Sequence, residues 1–298
     1  MVETHNAREA TSFGLHNIML IGPGGTGKTT QFHTLPRPGF LYIFDPNCLA
    51  SLSGLDMEYA IFSPDILDIN IHPMSTKKRK PDSVMKASEP KAYTNWEEDF
   101  EDRIDSGYFK NVKWIGMDSF TTFSDAVMDR TQYLNERMGK PPEQTDYTTQ
   151  MHTIQNVFRS LSALKKPFFA TAHDEHRQDP VSGSVTYQPV MTGRLRTRIP
   201  LLFSNILRTG VESARGREPT FLLHMVADRL HQYVRVSKQI NPLLKDNEGG
   251  FITELDVTIP DFDKAEGFGL GSLLRRAGFL EEEDQKPTRK TSKTSRKG

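Results

Sequence analysis

Apolar residues along the chain gather in short unbroken runs. "IMLI" at 18–21, "FLYIF" at 40–44, "VKWIGM" at 112–117 and "PFFATA" at 167–172 are four to six residues long, the length of buried strands. Between them the period changes. Trp96, Phe100 and Ile104 stand four apart, and Ile154, Val157, Phe158, Leu161 and Leu164 recur at helical spacing, so helices are predicted over 95–104 and up to Lys165-Lys166-Pro167. Leu201, Leu202, Phe203, Ile206 and Leu207 predict another helix, and "TFLLHMVA" and "LHQYVRVSKQ" predict late strands. Three polar stretches read as loops: 72–90, with its prolines and the basic cluster 77–80; 130–149, an insertion around Pro141-Pro142; and 174–192, poised over any site the strand ends form. Strands alternating with helices predict an α/β fold, a mainly parallel sheet flanked by helices, with β additions toward the C-terminus.

Composition narrows the setting. The 298 residues are 36% hydrophobic, enough for one large core or two modest ones. Cys48 is the single cysteine, which excludes an internal disulfide. No run approaches the eighteen or so apolar residues of a membrane helix, and no apolar leader precedes the first strand, so a cytoplasmic location is expected. The formal charge of zero hides an asymmetry: Lys286, Arg289, Lys290, Lys293, Arg296 and Lys297 follow "EEED", leaving 32 basic against 38 acidic residues elsewhere. The tail 284–298 has no apolar residue to bury and is expected to be disordered, serving either as a solubilising terminus or as an arm for nucleic acid. The cluster 77–80 carries the same two readings, a solvated loop or a phosphate contact.

The candidate chemistry begins where the first strand breaks. In "GPGGTGKTT", Gly22, Gly24, Gly25, Thr26, Gly27, Lys28, Thr29 and Thr30 have the spacing of a phosphate-binding loop, with Lys28 reaching the phosphates and the Thr29 hydroxyl on Mg²⁺. The segment from Lys28 to Thr34 can open the helix that faces the phosphates. The strand "VKWIGMD" delivers Asp118 at its carboxyl end, where open α/β sheets bind ligands. Asp118 is therefore the expected second-sphere ligand of the Mg²⁺ that Thr29 holds, or an N-cap to the next helix, or both. "PFFATAH" places Thr171 and His173 at the same edge, where His173 is either a structural group or a sensor of the γ-phosphate. Arg194, Arg196 and Arg198 form either a solvated face or an arginine finger directed at a neighbouring subunit's nucleotide.

"GPGGTGKTT", "GMDSF", "TAHDEH" and above all "GRLRTRIPLLF" resemble the phage-encoded RecA-like P-loop ATPases that act in single-strand annealing recombination. The likeness spans roughly 17–236, within a RecA-like ATPase domain expected over 17–283 behind an N-terminal extension of residues 1–16. The resemblance implies ATP and Mg²⁺ as cofactors, single-stranded DNA as a partner, a homo-oligomer with sites at subunit contacts, and a single-strand DNA-binding protein as a further partner. It also implies that 174–192 contacts DNA, with His176 and Arg177 for phosphates and Tyr187 for stacking. One position departs from the pattern. Relatives carry a glutamate that orients the attacking water after the second strand, whereas here Asn47 stands in "DPN". An amide holds water but does not take its proton, so slow hydrolysis is expected unless Asp45, Glu58 or Glu175 substitutes. A nucleotide-dependent scaffold or loader that does not hydrolyse ATP, and a small-molecule P-loop kinase with 194–198 as its lid, are the competing readings.

Overall fold

The computed structural model describes residues 17–68, 88–191, 195–213, 215–244, 250 and 252–279. The N-terminal extension, the basic cluster 77–80, Arg194 and the basic tail lie outside them. In chain order the elements are β1 (Asn17–Ile21), β2 (Gly39–Ile43), α1 (Leu49–Leu52), β3 (Glu58–Ile61), α2 (Pro64–Leu67), α3 (Ala92–Asp105), β4 (Trp114–Asp118), α4 (Phe120–Leu134), α5 (Gln144–Ala163), β5 (Phe168–Ala172), β6 (Asp174–Gln178), β7 (Val185–Pro189), α6 (Leu195–Arg198), β8 (Asn205–Glu212), β9 (Thr220–His224), β10 (Glu254–Asp256) and α7 (Gly269–Arg276).

Eight strands form one sheet in the order β10-β9-β8-β1-β5-β4-β2-β3. The pairs from β8 to β3 are parallel, and β9 and β10 add antiparallel at the far edge. The strand β1 thus lies between β8 and β5, with β4 one strand further on. This is the expected mainly parallel α/β sheet, with β additions toward the C-terminal end.

The central strands read as apolar runs because both their faces are covered. On one face Met19, Ile21, Phe40, Tyr42, Ile115 and Met117 meet the helices α3, α4 and α5. On the other, Ile18, Leu20, Leu41 and Ile43 meet Phe32, Leu35, α1 and α7. The first face is rich in rings: Trp96 stacks on Phe100 at 5.2 Å and meets Phe123 edge-on at 5.0 Å. Removing such a buried ring costs about 3–5 kcal/mol, so this layer carries much of the stability. The second face is pinned by polar bonds as well. Gln31 Oε1 accepts from Leu270 N at 2.9 Å, Thr34 Oγ1 accepts from Gly271 N at 2.9 Å, and Gln31 Nε2 donates to Val257 O at 3.0 Å.

Several expectations are corrected. The stretch 130–149 is mostly helix: α4 runs to Leu134 and α5 starts at Gln144. Its turn is locked where Asp146, which has no exposed surface, accepts from Arg137 Nη2 at 2.6 Å and from Asn135 Nδ2 at 2.6 Å. Residues 174–189 form an antiparallel hairpin rather than a loop. Ile206 and Leu207 belong to β8, because the short helical turns over 195–202 end before Phe203. "LHQYVRVSKQ" forms no strand, only a bridge from Arg235 to Ile206. No helix among the described residues is long and apolar enough to cross a membrane.

Candidate functional site

The carboxyl ends of β1, β4 and β5 and the turn after β2 open onto a cleft of about 290 Å³. Its floor is the glycine-rich loop. Gly22 must lack a side chain there, since a Cβ would lie 2.4 Å from Thr209 Oγ1 and 2.6 Å from Thr209 O on β8. Gly27 sits at φ +81°, a left-handed conformation that side chains disfavour. Thr26 Oγ1 ties the loop down, donating to Pro23 O at 2.8 Å and lying 2.7 Å from Thr209 Oγ1. Gly24, Gly25, Gly27, Lys28, Thr29 and Thr30 all line the cleft. After the loop comes a short 3₁₀ segment, Thr29–Thr34, in place of a full α-helix.

Lys28 is buried, its Nζ donating to Gly22 O at 2.8 Å and Pro23 O at 2.6 Å. Burial lowers its pKa from the usual lysine value, against the opposing pull of Asp118, Asp174 and Asp45. Asp118 is 4% exposed and accepts from two hydroxyls, Thr29 Oγ1 on Oδ2 and Thr171 Oγ1 on Oδ1, each at 2.5 Å. Burial raises its pKa, and the two hydroxyls and Lys28 work the other way. The next residue, Ser119, caps α4 by accepting from Thr122 N, so the helix cap belongs to Ser119 and leaves Asp118 facing the loop.

His173 lines the cleft opposite the loop, its Nε2 4.0 Å from Asp45 Oδ2. Its pKa is lowered, by burial first and then by Lys28. Asp45 caps the turn Pro46–Cys48, its Oδ1 accepting both Asn47 N and Asn47 Nδ2 at 3.0 Å. Asn47 and Asp45 both line the cleft. The other two acids that could stand in for a glutamate lie elsewhere. Glu58 is on the exposed edge strand β3, bonded to Tyr108, and Glu175 is on the hairpin, 3.4 Å from Arg196 Nη2.

Arg196, on α6, donates to Gln188 Oε1 on β7 and to Met191 O at 3.1 Å each. His176 and Arg177 are exposed on β6. Tyr187, cross-strand from His176, has its ring stacked on His231 at 4.8 Å with the Arg208 guanidinium at 5.1 Å. The hairpin's root is anchored by Asp174, whose Oδ2 accepts from Arg208 Nε at 3.0 Å and from Tyr233 OH at 2.9 Å. Three lining residues, Cys48, Ser51 and Phe221, escaped sequence reasoning. Cys48, whose thiol burial pushes up in pKa, follows Asn47 by one position, and Phe221 comes from β9, far along the chain.

The donors present suit a hard cation with a phosphate chain: a hydroxyl and a carboxylate oxygen meet beside a buried lysine, over a loop whose glycines leave a cradle. A family model described as AAA domain matches residues 16–239. Among solved structures, the chain is similar to the flagellar accessory protein FlaH from Methanocaldococcus jannaschii, at 14% identity over 75% of this chain and 82% of that one, with a TM-score of 0.38. It is likewise similar to a KaiC-like protein from Pyrococcus horikoshii OT3, at 12% identity over 72% of this chain and 80% of that one, with a TM-score of 0.38. No curated protein matches it.

Proposed function

The chain belongs to the AAA domain family, and we propose on that footing that it binds ATP with Mg²⁺ in the cleft over Gly22–Thr30 and hydrolyses it slowly. The observation that carries this reading is the 2.5 Å approach of Thr29 Oγ1 to Asp118 Oδ2, two groups 89 positions apart that the fold brings together beside Lys28. Thr29 and Asp118 would hold the metal, and Lys28 would exchange its loop carbonyls for phosphate oxygens. Mg²⁺, when bound, neutralises charge on the phosphates. Titration calorimetry tests the site: Lys28→Ala is expected to lose most of its affinity for Mg²⁺-ATP while remaining folded. An unchanged affinity in the folded variant would overturn the assignment.

Asp45 would orient the attacking water through Oδ2 alone, which lies 4.0 Å from His173 Nε2, because Asn47 occupies Oδ1; a carboxylate held in this way is the reason for slow turnover. His173 would then sit beside the terminal phosphate as its sensor. A reading as a nucleotide-dependent scaffold or loader is favoured by the same detail, because Asn47 occupies one Asp45 oxygen and contributes no base itself.

The finer role is DNA recombination of the phage single-strand annealing type, in a homo-oligomer acting with single-stranded DNA and a single-strand DNA-binding protein. Its support is the resemblance of "TAHDEH" and "GRLRTRIPLLF", together with a hairpin that begins one residue after His173 and carries the exposed His176 and Arg177. DNA and nucleotide would thus meet opposite ends of one short strand connection.

A further inference from the structure

The walls of the cleft are chemically uneven. Asp45, Asn47, Cys48, Ser51, Asp118 and His173 all stand on the β5–β4–β2 side of the loop. On the other side, beyond β8, the lining residue is Phe221. Its ring packs against the loop itself: a Cβ on Gly27 would lie 3.0 Å from Phe221 Cδ1 and 3.5 Å from Cε1. The backbone of Phe221 is clamped on both sides, its N–H donating to Thr258 Oγ1 at 2.9 Å and its carbonyl accepting from Val257 N at 2.8 Å. The ring is only half-buried, so part of it remains open to the cleft.

A triphosphate has a direction. Its β/γ end belongs with Lys28, Thr29 and Asp118, facing the polar wall, so the nucleoside leaves the loop toward β8 and β9. We propose that Phe221 is the platform on which the nucleobase stacks, an inference that rests on the reading of the cleft as a nucleoside triphosphate site. A benzene ring offers a π-face and neither donor nor acceptor. Every base has such a face, so this contact adds affinity without choosing between adenine and guanine. The clamped backbone of β9 sets the ring in place before the ligand arrives, which limits the ordering cost of binding.

The experiment compares Mg²⁺-ATP, Mg²⁺-GTP and Mg²⁺-tripolyphosphate by calorimetry on the full chain and on Phe221→Leu, Phe221→Ala and Phe221→Tyr. Phe221→Leu keeps bulk against Gly27 and removes the π-face; Phe221→Tyr keeps both. The expected result is a loss of about tenfold or more for ATP and GTP alike in the Leu and Ala variants, within the range a base–aromatic stack represents. Tripolyphosphate affinity is expected to stay unchanged in all variants, and the Tyr variant to bind as the parent does. Equal losses for tripolyphosphate and the nucleotides would mean that Phe221 only supports the loop. Unchanged nucleotide affinity in Phe221→Leu would overturn the stack. If the parent chain binds neither ATP, GTP nor tripolyphosphate, it is the nucleotide site that fails, and that outcome overturns this inference with it.

Discussion

Asn47 holds Asp45 by two hydrogen bonds to a single oxygen, Oδ1, at 3.0 Å from its backbone and 3.0 Å from its amide. The arrangement leaves Oδ2 directed toward His173, 4.0 Å from its Nε2. Asp45→Asn is expected to lower steady-state ATP turnover by about tenfold, less than the roughly 10² to 10⁴ of an unencumbered general base, with little change in ATP affinity. Asn47→Glu would set a second carboxylate against Asp45 and is expected to fall short of the tenfold gain that a restored glutamate would give. Glu58→Gln and Glu175→Gln are expected to turn over ATP as the parent does. Turnover measured with and without DNA decides among the four, and a parent-like rate in Asp45→Asn would remove Asp45 from the reaction.

The exposed hairpin sets a second expectation. Arg177→Glu should weaken single-stranded DNA binding and make the slope of log affinity against log salt shallower by about 0.7, the value of one phosphate contact on a single strand. Fluorescence anisotropy at several salt concentrations measures both. Tyr187→Ala should act differently, through the hairpin's seat on His231 and Arg208, by lowering thermal stability. A salt slope unaltered by Arg177→Glu would take the hairpin off the DNA path.

Acid stability should depend on the turn between α4 and α5. Hydrogen bonds from Arg137 hold the buried Asp146 carboxylate down to a pKa of about 2. Its unfolded value is about 4, so folding protects the ionised form, and its contribution is whole above pH 4 and lost as the pH falls toward 2. Asp146→Asn removes the carboxylate that accepts from Arg137 and Asn135, leaves Arg137 its ion pair with Glu143 at 3.1 Å, and should lower thermal stability at neutral pH. Thermal melts from pH 2 to 7 should show a smaller pH dependence in the variant than in the parent. Parallel curves would mean that the pair contributes nothing.

The glycine-rich loop can be displaced without touching its lysine. Gly22→Ala drives a methyl group into Thr209, and crowding of this kind costs about 1–3 kcal/mol, or roughly 2–10 °C in melting temperature. Nucleotide affinity should fall with it. Coupling of the two effects is the expectation, and partial relief by Thr209→Ala, which removes Oγ1 and keeps the carbonyl, would trace them to the same contact.

The site was legible in the sequence wherever its chemistry was local. The glycine loop, Asp118 and His173 each follow directly on an apolar strand, and strand ends at one sheet edge converge by topology. Contacts between distant segments were not legible. Nothing beside Phe221 marks it as facing Gly27, 194 positions away, and Asn47 by itself does not say which oxygen of Asp45 it takes. The elements that were misread share one cause, a polar or ambiguous period. Residues 174–178, "DEHRQ", are exposed on a two-stranded ribbon, so no apolar alternation announces β6. Leu201, Leu202, Ile206 and Leu207 fit a helical spacing by coincidence across a break before Phe203, where the chain turns from helix to strand. The helix ends inside 130–149 are held by Asp146 and its partners, and polar caps do not register as periodicity.

The bonds from Gln31 and Thr34 to Leu270 and Gly271 have a consequence for how the protein is made. After the glycine loop has been made, two of the side chains that fix its short helix wait for partners 239 and 237 positions later. At about 5–20 residues per second that interval is on the order of 10–50 s. Throughout it the nascent chain displays a complete phosphate-binding motif on an unfinished scaffold. Whatever the loop binds, its short helix is held in its final seat only once residues 270 and 271 have emerged.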